Sequence, residues 1–251
     1  MTKLLLLFLL FSIPGLPQNE KPRNISAGSL YDTLPQIADG DSWKTSIILV
    51  NLEKYSVSWT VKFFGDDGKP KEFTLVGRGK SSVFAGVLPS EGSVTLETPG
   101  IGSLNQGWAE VSSSGIDDVG AMVVFGTSGI PGRPDYEASV PAVFSIDDDA
   151  LIPFDNTNSF VTSLAILNPG TYSDSVIDIK VLDEAGAVVA TEKLTLKAGN
   201  KLAFRSIDRW PASNGKRGSL VLKGDGLSYL SSFALRFNPG GAFTTVLPLS
   251  R

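Results

Sequence analysis

WKTSIILVN at residues 43–51 returns as FVTSLAILN at residues 160–168. Both are short runs rich in β-branched and aromatic residues, the composition that fits a pleated, half-buried strand. Working outward, VKFFGDDGKP (61–70) reads against IKVLDEAGAV (179–188). Further on, Gly92 falls on Gly199, Gly107 on Gly218, Phe125 on Phe237 and Pro141 on Pro248. The spacing between matched residues changes at three places. GRGKSSVFAGVLPS (77–90) adds length to the first copy and SIDRWPASNGKR (206–217) to the second, while GTSGIPGRPDYEA (126–138) outruns NPGGAFT (238–244). Loops absorb such changes and strands do not, so these places are expected to be loops.

Each copy reads as seven or so short strands separated by Gly, Pro, Asp and Ser clusters, with no sustained helical period. Asp66-Asp67-Gly68 and Glu184-Ala185-Gly186 read as hairpin turns, the glycine taking a positive φ. The expected fold is all-β: two tandem immunoglobulin-like antiparallel β-sandwich domains arising from an internal duplication. The expected organisation is a signal peptide at 1–18, a linker at 19–33, repeat 1 at 34–144, an acidic linker at 145–150 and repeat 2 at 151–251. A single larger sandwich or barrel sharing strands between the copies is the other arrangement the pattern allows.

Composition removes several chemistries. The 251 residues contain no cysteine and no histidine, so a thiol nucleophile, a disulfide, a Ser-His-Asp triad and the usual zinc site are all excluded. A net charge of -4 argues against nucleic acid as a partner. Lys3 followed by LLLLFLLFSI (4–13) has the charge and length of a secretory signal and is too short for a membrane span. The mature chain is therefore expected to be secreted or periplasmic, with no membrane span.

PQIADGDSWKTSIILVN, QGWAEVSSSG and PGRPDYEASVPA, followed by PFDNTNSFVTSLAILNP, GKRGSLVL and LRFNPGGAFTTVLP, resemble a duplicated secreted β-rich module found in exported proteins of acidobacterial-type soil bacteria. The resemblance implies a secreted β-rich module of unknown function. It carries no catalytic residue over to this chain.

Candidate chemistry is sparse. Arg133, Asp135, Tyr136 and Glu137 place a guanidinium, two carboxylates and a phenol in one loop, able either to bind a polar ligand or to staple a Pro-bent crossover through an Arg-Asp pair. Trp210, between Arg209 and Pro211, is the expected surface aromatic, whereas Trp43 and Trp59 are expected in the core. Asp39 and Asp41 at the entry to the first copy, with Asp147, Asp148 and Asp149 before the second, are weak calcium candidates; no other cofactor is expected. Lys193, Lys197 and Lys201 stand where charges would guard edge strands. These features point to an exported, non-enzymatic structural or adhesive protein presenting loops and edge strands to a partner. The alternative is a carbohydrate-binding protein using exposed aromatics. The expected partner is a protein or a cell-surface polysaccharide.

Overall fold

The computed structural model describes residues 32–115, 118–142, 149–170, 172–225 and 230–250. The expected signal peptide and all but the end of the first linker lie outside these residues. The chain is all-β, 3% helix against 61% strand, in antiparallel sheets. Among the described residues no helix is long and apolar enough to cross a membrane.

Ten strands make up the first half. β1 (Asp32–Asp39), β8 (Asn105–Ser113), β3 (Val57–Phe64) and β6 (Val83–Leu88) lie side by side in that order in one sheet. β10 (Tyr136–Pro141), β9 (Val119–Thr127), β2 (Trp43–Asn51) and β7 (Ser93–Glu97) form the other, and β4 (Phe73–Leu75) with β5 (Gly79–Ser81) makes a separate hairpin. Strict alternation builds the core. In β3, Val57, Trp59, Val61 and Phe63 are buried while the residues between them are more exposed, as the two-residue period of a strand requires.

The second half repeats this order. β11 (Asp149–Asp155), β16 (Arg217–Gly224), β13 (Ser175–Asp183) and β14 (Val188–Leu196) form one sheet, extended at β11 by β19 (Leu249–Ser250). β18 (Phe243–Val246), β17 (Ser231–Phe237), β12 (Val161–Leu167) and β15 (Lys201–Arg205) form the other. Asp149 and Ala150, expected in the linker, already belong to β11. In an immunoglobulin domain the first strand neighbours the second and the seventh neighbours the sixth. Here β1 neighbours β8 and β9 neighbours β2, so the outer strands sit on opposite sheets from that arrangement.

Equivalent residues make equivalent contacts. Thr45 Oγ1 donates to the Ala38 carbonyl and accepts the Ala38 N–H; Thr162 does the same with Asp155. The buried amides of Asn51 and Asn168 each donate to loop and strand carbonyls, to Tyr55 and Leu88 in one half and to Ser173 and Leu196 in the other. A Cβ on Gly107 would overlap the Phe64 carbonyl oxygen and one on Gly218 the Leu182 carbonyl oxygen, so both positions admit only glycine. Three sequence matches are corrected, each by one residue. Thr45 pairs with Phe125 and Thr162 with Arg236, so Arg236, not Phe237, occupies the place of Phe125. Asn51 N–H donates to the Gly92 carbonyl and Asn168 N–H to the Asn200 carbonyl, so Asn200, not Gly199, occupies the place of Gly92. Val140 pairs with Val123 as Val246 does with Ala234, so Leu247, not Pro248, follows at the place of Pro141.

A two-sheet sandwich has open flanks, and extra length in each half closes one of them. In the first half that length is not the loop expected at 77–90: β6 there has its equivalent in β14, and the addition is the β4–β5 hairpin that precedes β6. In the first half the β4–β5 hairpin buries Phe73 and Leu75 in the core and is tied to β7 by Val76 N–H donating to the Glu97 carbonyl. In the second, α1 (Ser206–Arg209) and a short 3-10 turn (Pro211–Ser213) bring Trp210 against Phe204, edge to face at 5.3 Å.

Candidate functional site

The two halves meet where the flank between β1 and β10 faces the outer side of the β12/β17 sheet. Phe233, Leu235 and Phe243 of the second half join the core of the first, with Phe233 stacked on Phe125 at 5.8 Å. Next to this contact lies a cleft of about 450 Å³. Its floor is low because Ser163, Ala165 and Ala203 present small side chains there, Ala203 beside Ala165 and Arg205 beside Ser163 in the strand register. Trp43 and Phe237 stand around it, and Gln36 and Gln106 form a wall from β1 and β8.

Behind that wall a polar latch joins the halves. Gln36 Nε2 donates to Gln106 Oε1 at 3.0 Å, and Gln36 Oε1 accepts from Lys201 Nζ. Lys201 Nζ also lies 3.0 Å from Asp66 Oδ1, with the lysine side chain wholly out of solvent. Burial lowers the Lys201 pKa below its usual value, and the Asp66 carboxylate opposes that fall. Trp108 Nε1 donates to the Gly199 carbonyl at 3.0 Å, and Lys201 N–H to the Asp66 carbonyl at 3.0 Å. Gly68 and Gly199 interlock the two turns: a Cβ on Gly68 would sit 2.8 Å from the Gly199 oxygen. Lys201, expected as an edge guard, is thus a buried cross-half contact, because Asp66 and Gln36 supply its partners from the other half.

The second feature is an edge. Among the described residues β6 pairs only with β3, and Val83, Ala85 and Val87 point outward and are exposed. The Ser81 hydroxyl accepts the Val83 N–H and donates to the Val83 carbonyl, so the main-chain groups of Val83 point away from β3. By the strand period those of Ala85 and Val87 point the same way. The equivalent edge, β14, carries Thr191, Lys193 and Thr195 at these three places, with Lys193 paired to Asp178 at 3.0 Å. A lysine blunts an edge strand against pairing; Ala85 leaves it bare.

The sequence candidates fall elsewhere. Trp210 is not a surface aromatic: it is 4% exposed, and its Nε1 donates to Glu192 Oε2 at 2.9 Å. Glu192 also holds Arg209, and those contacts keep its carboxyl below the usual range. A polar partner on β14 satisfies the indole N–H and lets the ring go inside, which the flanking sequence does not show. Trp59 is buried and Trp43 packs against the first core, as expected.

In the 133–137 loop, the Arg133 guanidinium lies over the Tyr136 ring at 5.7 Å and against Gly241 of the second half. Asp135 Oδ1 accepts the Gly129 N–H at 3.3 Å, and among the described residues it forms no salt bridge with Arg133. Tyr136 packs on the first core while Glu137 is exposed. The loop therefore buttresses the junction through Arg133 and Tyr136, without the expected Arg-Asp pair.

The acidic candidates are not gathered. Asp39 Oδ1 accepts the Gly100 N–H at 2.7 Å and Asp41 Oδ2 the Leu104 N–H at 3.2 Å, both at the end of β1. Asp149 starts β11, so the two acidic groups stand at opposite ends of equivalent strands and not at equivalent entries. Asp147 and Asp148 lie outside the described residues. Among the described residues no group of three acidic side chains is close enough to hold a metal.

Compared with family models, with curated proteins and with solved structures, the chain matches none.

Proposed function

We propose that this chain is an exported, non-enzymatic structural or adhesive protein made of two copies of one β-sandwich, and that it offers β6 to a protein partner which adds a strand there. The observation that carries the reading is the bare edge. Ala85 and Val87 present unpaired main-chain groups between apolar, exposed side chains, while the same edge in the other half is charged. The shared strand order and the matching Thr45/Thr162 and Asn51/Asn168 contacts support the duplication. The Lys3-led apolar run supports export.

The test is amide exchange at residues 83–88, alone and with a cell-envelope protein fraction. Protection is expected in β6 and is expected to disappear in Ala85→Lys, which copies the charge that β14 carries. Protection that survives Ala85→Lys, or that appears only elsewhere, would overturn the edge reading.

A further inference from the structure

We infer that the cleft between the halves is a binding site for a small amphipathic acid, a single carboxylate on an acyl or aromatic body, independently of what β6 does. The cleft lies within the ~300–1,000 Å³ range of small-molecule sites and at a junction of two sheets, where such sites concentrate. Trp43, Phe125, Phe233 and Phe237 supply aromatic wall, and the small side chains of Ser163, Ala165 and Ala203 leave the room in front of them.

The polar content of the cleft selects the ligand. Among the described residues Gln36 is taken up by Gln106 Oε1 and Lys201, which leaves the Gln106 amide nitrogen as the one uncommitted group of this wall, too little to hold the many hydroxyls of a sugar, so the cleft favours an apolar body. Among the lining residues Arg205 carries the formal charge, and it is positive. Among the described residues its one ion pair is to Asp208 at 3.6 Å, between side chains that are both more than half exposed. So long and solvated a pair is weak, which leaves the guanidinium fork free to take a carboxylate with two hydrogen bonds. An apolar pocket with one cation at its lining complements an apolar molecule with one acid group.

The probe is dodecanoate, kept below its micelle concentration, titrated into the full chain by calorimetry, with dodecanol as the neutral control. Saturable one-to-one binding is expected for the acid and at least about tenfold weaker binding for the alcohol, a loss of about 1.4 kcal/mol. Arg205→Gln, at an exposed side chain, is expected to weaken the acid about tenfold without changing the alcohol. Ala203→Trp, which fills the cleft from an exposed position, is expected to abolish both. Circular dichroism of the two variants checks that they fold. No saturable binding of dodecanoate, or binding untouched by Ala203→Trp, would overturn the site; equal binding of acid and alcohol, or of acid to wild type and Arg205→Gln, would overturn the role of the carboxylate.

Discussion

In the first sandwich the flank between β1 and β10 is covered by the other half, through Phe233, Leu235 and Phe243. In the second, the corresponding flank between β11 and β18 is crossed by the chain's own last residues, which leave β18 on one sheet and add β19 to the other. The second core is accordingly composed of second-half residues alone, whereas the first takes residues from both. Two units with one strand order can thus differ in self-sufficiency. What differs is the source of the side chains that close the flanks, not the sheets.

The sharpest way to break this comparison is to separate the halves. Residues 149–251 expressed alone are expected to unfold cooperatively by circular dichroism and heat, while residues 32–142 alone are expected to show no cooperative transition. Burying each large apolar side chain stabilises by about 1.5–3 kcal/mol, so losing three such contacts rivals the ~5–15 kcal/mol total of a domain. A first half that melts cooperatively on its own would refute the borrowed lid.

A smaller effect tests whether the two insertions are equivalent seals. Trp210→Ala is expected to cost about 3–5 kcal/mol, by emptying the space against Phe204 and leaving Glu192 without its indole partner, and Phe73→Ala to cost a similar amount in the first half. Urea denaturation of the full chain measures both. If either cost falls below about 1 kcal/mol, that insertion is not a seal.

The smallest effect concerns acid. Burial alone would raise the pKa of Asp155, but the hydroxyl and N–H of Thr157 and the guanidinium groups of Arg236 and Arg217 outweigh it and hold the carboxyl far below its usual value. A carboxyl with a depressed folded pKa stabilises fully above its unfolded value of about 3.9, and that contribution is lost as pH falls toward the folded value. The first half has Ala38 at this place, as the shared bond to Thr45 and Thr162 shows. Unfolding midpoints taken from pH 6 downward are expected to drop more steeply for the wild type than for Asp155→Asn. Parallel curves would mean that the cluster adds no pH dependence.

Much of the architecture was legible. The strand rhythm, the turns at Gly68 and Gly186 with φ of +76° and +78°, and the core places of Trp43 and Trp59 all follow from local pattern. The insertions were legible as extra length but not as seals. GRGKSSVFAGVLPS lies too late to be the first of them, since it includes β6, which β14 matches, while the added hairpin is β4–β5; the segment around Trp210 owes its burial to Glu192, a residue from the neighbouring strand. The match of Phe125 to Phe237 was one residue off, because a short apolar match can slide by one while strand pairing cannot without turning every side chain to the other face.

Residue chemistry and short-range alternation were enough to specify the all-β class and the turns, since those depend on sterics within a few neighbouring residues. Which flank covers which, the burial of Lys201 between Asp66 and Gln36, the bareness of β6 beside the charged β14 and the cleft under Trp43 were settled by tertiary structure alone. Each is a contact or a gap between surfaces far apart in the chain, and nothing local in either surface encodes what it will meet.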